Sequence, residues 1–215
     1  SEINMKRCIL VLVYSFFFIP FVAQAQQVYT KRNGILVLKN DSVLRAMSYF
    51  TGKPEGGTWY ADAINAYQKA MGDSIQVYNM IIPISSAFYW PEDYTEVKTN
   101  SQRATIANMY EHIDNKVKKI DLWDILEEHK DEAIYARTDH HWLPLAAYYA
   151  AQQFASAAQV QFCNLSSYDK HIIHRFVGSM VHFSGDAMLK SSPEDFVFYT
   201  PKDYPITTTY IEYIL

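Results

Sequence analysis

Short apolar runs bounded by glycine or proline alternate along this chain with segments whose apolar residues recur every three or four positions. An unbroken short apolar run suits a buried strand, and a 3.6-residue period suits a helix. Strands interleaved with helices pack as an α/β layered fold, since each helix buries its stripe on the neighbouring sheet. Residues 34–38 read as a strand and 76–82 as a buried strand ending at Pro83. A short helix capped by Asn40 or Asp41 is expected up to Phe50. Residues 52–57 hold three glycines and Pro54 and read as a loop. Thr58 then caps a helix with Tyr60, Ala63, Ile64 and Tyr67 at helical spacing, stopping at Gly72. Residues 85–100 are aromatic and turn-rich. Ser101 opens a helix whose stripe is Ile106, Met109, Tyr110, Ile113 and Val117, closed by Lys118 and Lys119. A strand at 120–122, a helix at 123–130 and a strand at 133–136 follow. Pro144 suits the first turn of a helix running to about residue 158. From Asn164 the chain reads as irregular, apart from strand-like runs at 196–199 and 206–215.

With 215 residues, 49% of them apolar, the chain can bury one sizeable core. The net charge is −4 and no basic run occurs, which gives no support for nucleic-acid binding. The 7 glycines form no phosphate-cradling pattern, so no nucleotide cofactor is expected.

Met5 is followed by Lys6 and Arg7, an apolar run over 8–22, and Ala23-Gln24-Ala25. A positive end, an apolar middle and a small-x-small site make a secretory signal peptide over 1–25. The mature domain is then 26–215, exported to the periplasm or cell exterior of a bacterium. The alternative is an uncleaved anchor, the one expected route to a membrane. The run falls short of the ~20 residues that a span needs, and Pro20 sits near its end. Cleavage removes Cys8 and leaves Cys163 without a disulfide partner. Cys163 follows Phe162 and reads as a small buried residue rather than a nucleophile.

Chemistry concentrates in Arg137-Thr138-Asp139-His140-His141-Trp142, a loop feeding a helix start. An aspartate near a histidine fixes its tautomer and steadies its protonated form, as a general base requires. The same loop can instead be a cap in which Asp139 accepts backbone N–H groups. His140, His141, His171 and His174 could ligate a metal, but no paired-ligand spacing supports one and none is expected. Gly72-Asp73-Ser74 reads as a turn, because a helix precedes it and a strand follows. Gly178-Ser179 and Ser184-Gly185-Asp186 are too short to carry weight by themselves.

Residues 135–154, YARTDHHWLPLAAYYAAQQF, resemble the DHHW protein family, exported bacterial proteins named for this tetrapeptide. WYADAINAY at 59–67, VYNMIIPISSAFYWP at 77–91 and GSM at 178–180 resemble the family's pattern in the same order. That family is similar to SGNH-like periplasmic proteins that O-acetylate alginate and related exopolysaccharides. The resemblance implies an SGNH-like three-layer sheet with flanking helices. It also implies an O-acyl (acetyl) transferase or esterase acting on envelope or extracellular polysaccharide, with an acyl-donor partner protein. Carried over by motif, Asp139 is the orienting acid and His141 the base of a Ser-His-Asp triad. Arg137, His140 and Trp142 are then placed for substrate contact. Leu143 and Ala146 stand where the family suggests threonine and glycine, and Leu143 forgoes a capping hydroxyl. In these relatives the serine lies downstream of the histidine block. Ser179 is the best of few serines there, and the chain ends within the β-prone run TTTYIEYIL. An incomplete chain lacking its downstream nucleophile block is therefore expected. The alternative is a non-catalytic envelope protein that retains the fold and binds a glycan or a partner.

Overall fold

The structure is a computed structural model that describes residues 28–40, 43–97, 99–204 and 207. The expected signal segment and the expected strand at 206–215 lie outside these residues, Thr207 excepted.

The chain opens with an antiparallel meander of β1 (Val28–Arg32), β2 (Ile35–Asn40) and β3 (Val43–Ser48). Asn33 and Gly34 take φ of 52° and 75° between the paired residues Arg32 and Ile35, as a tight hairpin turn demands. The helix expected up to Phe50 is instead β3. Leu44, Ala46 and Met47 are good helix formers, yet pairing with β2 buries all three and overrides propensity. Ile35, Val37, Leu44 and Ala46 form one cluster with Met180, Val181 and Leu189; Leu36 and Met47 form another with Tyr94. Both faces of the meander are thus covered, which explains the unbroken apolar run.

A 3-10 turn at Pro54–Gly56 leads into α1 (Gly57–Met71), which ends at Gly72 with φ of 69°. The inward side is Gly57, Ala61 and Gln68, flanked by Tyr60 and Ile64. Of the expected stripe, Ala63 and Tyr67 face outward instead. Then come β4 (Tyr78–Met80), α2 (Ser86–Tyr89) and α3 (Gln102–His112). Ser101 caps α3, its hydroxyl accepting from the Ala104 N–H at 3.1 Å. Lys118 and Lys119 do not close α3 but begin β5 (Lys118–Ile120), which runs parallel to β4. Asp114 turns the chain between them, its carboxylate accepting from the Lys116 N–H at 2.8 Å. Ile113 and Val117 stay buried against α1 although they lie outside the helix.

α4 (Trp123–Glu128) and α5 (Pro144–Ala158) follow the expected segments closely. Residues 133–136 contribute one bridge, Tyr135 to Trp142, rather than a strand. The region after Asn164 is not irregular: β6 (Tyr168–Phe176) pairs antiparallel with β7 (Glu194–Pro201), and α6 (Met180–Ser184) lies between. β6 is mostly exposed, so its sequence lacks the alternation by which strands are recognised. Cys163 is exposed, not buried, because it lies on the surface stretch beyond α5. Gly72-Asp73-Ser74 is a turn between α1 and β4, as expected.

Among the described residues the α/β fold is thus built from three small sheets with flanking helices. Ile120, Leu122, Leu126, Ile134, Tyr135, Ala146 and Ala150 make a core beneath α5. This core grips both ends of the segment that carries the histidines. Among the described residues no helix is long and apolar enough to cross a membrane.

Candidate active site

Residues 134–143 form a pinched loop. The Leu143 N–H donates to the Ile134 carbonyl at 2.8 Å, and the Ala136 N–H to the His141 carbonyl at 3.3 Å. Ile134, Tyr135 and Leu143 are buried, so the loop is rooted in apolar contacts; along its tip, residues 137–141, Thr138 is buried as well and only His140 and His141 are exposed.

Glu194 braces the first half of the tip. Its carboxylate, 8% exposed, accepts from the Arg137 N–H at 2.9 Å, the Thr138 N–H at 2.8 Å and the Thr138 hydroxyl at 2.8 Å. The Arg137 guanidinium donates to the Leu44 carbonyl at 3.2 Å, the Ser192 hydroxyl at 3.1 Å and the Pro193 carbonyl at 3.2 Å. Arg137 is expected at the substrate; in the structure its guanidinium donors tie the loop to β3 and to the start of β7. Trp142, also expected at the substrate, is half-buried and packs on the core beneath α5. His171 and His174 lie on β6, bonded to Thr200 and Asp195, apart from the histidine pair.

Asp139 and His141 do meet. The Nδ1 of His141 lies 2.6 Å from Oδ1 of Asp139, and the same oxygen accepts the His141 N–H at 2.9 Å. The other oxygen accepts the Ser179 N–H at 2.7 Å. Burial raises the Asp139 pKa, but the hydrogen bonds from Ser179 and His141 outweigh it and hold the carboxyl well below the usual carboxylate range. Asp139 is therefore an anion locked against Nδ1. The His141 side chain is 69% exposed, and no hydrogen bond ties its Nε2 to a described residue. This is the geometry of an oriented base whose reactive nitrogen faces outward.

Ser179 adjoins both Asp139 and His140. Its hydroxyl lies 2.8 Å from Nδ1 of His140, whose ring centroid is 3.7 Å from that of His141, the planes tilted by 39°. Phe183 meets the other side of His140 at 5.4 Å between ring centroids. Asp139, His140 and His141 also bring their ligand atoms within 4.8 Å of one another, although two of the three side chains are exposed.

Two partners escaped the sequence reading. Glu194 carries no motif, and only its buried carboxylate reveals its role. Gly178-Ser179 was legible as part of the GSM block but not as the support of Asp139. The Gly178 N–H donates to the Thr138 hydroxyl at 3.0 Å and the Met180 N–H to the Thr138 carbonyl at 3.0 Å, so 178–180 is laced to 138–139.

The family model described as DHHW protein matches residues 31–210. A crystal structure of a DHHW family protein from Eubacterium siraeum is similar at 38% identity and a TM-score of 0.77, over 82% of this chain and 57% of that one. Bacillus cereus PatB1, in a structure with a sulfonyl adduct, is similar at 17% identity and a TM-score of 0.59, over 83% of this chain and 58% of that one. The O-acetyltransferase domain of Pseudomonas putida AlgJ is similar at 18% identity and a TM-score of 0.52, over 83% of this chain and 67% of that one. The last two share the fold alone. No curated protein matches the chain. It spans less than two thirds of the first two structures' length. By the match over 31–210 and the kinship at 38% identity, the chain belongs to the DHHW protein family.

Proposed function

We propose that this chain carries the acid-base half of a serine-type O-acyl transfer site that acts on an extracellular or envelope polysaccharide. The observation that carries the reading is the Asp139–His141 pair, with Nδ1 held at 2.6 Å and Nε2 turned outward. In the proposed reaction a serine hydroxyl gives its proton to Nε2 as its oxygen bonds to the acyl carbonyl carbon. Collapse of the tetrahedral intermediate returns that proton to the departing group and leaves an acyl-serine. A sugar hydroxyl, or water, then repeats the sequence and releases the serine. Asp139 stays ionised throughout and steadies the imidazolium. The fold shared with an O-acetyltransferase domain supports acetyl as the group moved.

The serine proposed for this role lies outside the described residues, because the Ser179 hydroxyl is turned to Nδ1 of His140. Exposed His140 borders the side from which an acceptor would approach. An acyl donor delivered by a partner protein, and export before action, belong to the same proposal.

The test is turnover of p-nitrophenyl acetate by the whole protein and by its His141→Gln variant. A loss of about a hundredfold or more with an unchanged melting curve is the expected result. Equal turnover by both proteins, or none by either, would favour a binding protein that keeps the fold.

A further inference from the structure

The outward face of α1 is apolar along its whole length. Trp59 is 83% exposed, Tyr67 61% and Met71 46%, and Ala63, Ala66 and Ala70 are exposed between them. At 3.6 residues per turn these six positions fall on one stripe, roughly 18 Å long from Trp59 to Met71. The inward face, from Gly57 and Ala61 to Gln68, lies on the other side of the helix. Isolated exposed apolar residues are ordinary, but a continuous stripe with two aromatic rings marks a contact surface.

Charge identifies what the surface fits. Asp62 and Lys69 are both exposed, stand seven residues apart and so share one flank of the stripe. Neither makes an ion pair or hydrogen bond with any described side chain. A two-fold axis perpendicular to α1, passing between Asn65 and Ala66, lays two copies of the helix antiparallel and brings like flanks together. Asp62 then falls opposite Lys69 of the partner subunit, and symmetry repeats the pair. Trp59 falls level with the partner's Gly72, beside the partner's Met71. The three alanines lie near the crossing, where small side chains let two helices approach to about 8–10 Å. The sequence is complementary to itself in this arrangement and in no parallel one, where a two-fold axis along the helices would put the two charged flanks on opposite edges and leave Asp62 and Lys69 without each other.

We propose that α1 is a self-association surface through which two copies of this protein pair antiparallel, with Trp59 and Tyr67 as apolar anchors and reciprocal Asp62–Lys69 contacts fixing the register. The area is small beside the ~800 Å² per partner of stable complexes, so the dimer is a weak, concentration-dependent one.

The test is sedimentation velocity on the protein from about 1 to 300 μM, with circular dichroism to show that each variant is folded. A monomer–dimer equilibrium within that range is expected. Asp62→Lys alone and Lys69→Asp alone each set like charges opposite one another twice and should weaken association about tenfold. The double variant Asp62→Lys/Lys69→Asp restores the complementarity and should recover it. Trp59→Ala should weaken it irrespective of charge. A protein that stays monomeric throughout, as when another segment of its own chain covers α1, would overturn the proposal. So would a dimer indifferent to Trp59, or a double variant no better than the single ones.

Discussion

Gly178 and Asp139 touch so closely that a Cβ on Gly178 would stand 2.3 Å from the Asp139 Cβ and 2.5 Å from its Oδ2. The contact exists because the Ser179 N–H must reach that same Oδ2 at 2.7 Å. Gly178→Ala should therefore push Asp139 away from its donors. A destabilisation of about 1–3 kcal/mol is expected from overpacking, measured by urea denaturation. Turnover should fall more than stability alone explains, because the shifted carboxylate no longer orients His141.

The depressed Asp139 pKa has a fixed sign for stability. Folding holds this carboxyl below its ordinary value of 3.8, so its contribution is fully present above the unfolded pKa and is lost as pH falls through the folded one. Asp139→Asn removes that contribution. The stability gap between the native protein and Asp139→Asn should narrow as pH falls below about 4. Chemical denaturation at a series of pH values checks this. A gap that widens on acidification would mean that Asp139 is not held as the anion.

Glu194 should matter as much to the loop as any residue of the motif. Removing its carboxylate strands the Arg137 N–H, the Thr138 N–H and the Thr138 hydroxyl in a half-buried site and leaves the Arg137 charge without its acid. Glu194→Ala should cost about 3 kcal/mol, the range of a buried ionic group losing its partner. Glu194→Gln, which keeps an acceptor, should cost distinctly less. A lowered melting temperature for the first and a partial recovery for the second are the expected readings.

The elements legible in sequence were those whose local signals agree with the packing. α5 begins at Pro144 because proline fits a first turn, and α3 begins where Ser101 can cap it. The Asp139–His141 pair was legible because two residues of one loop can meet with little help from the rest of the chain. What was missed depends on distant contacts. β3 is a strand only because β2 lies beside it, and β6 shows no apolar alternation because so little of it is buried. The part Arg137 plays in holding the loop is not legible because its three acceptors come from Leu44, Ser192 and Pro193, far away in sequence.

Ser179 and His141 can be told apart by what their loss does. The Ser179 hydroxyl meets His140 and adds to what favours the Asp139 anion, while its backbone N–H, which any residue supplies, holds Asp139 at 2.7 Å. Ser179→Ala should therefore preserve the Asp139–His141 hydrogen bond and reduce turnover of p-nitrophenyl acetate by no more than about tenfold, with the pH profile unchanged. A nucleophile would behave otherwise, since its removal abolishes the acyl-enzyme altogether. A trapping experiment separates the two roles directly. After quenching, intact-protein mass spectrometry should find any acetyl adduct undiminished in Ser179→Ala. Loss of the adduct in that variant, with His141 intact, would move the nucleophile to Ser179 and make His140, not His141, the histidine that serves it.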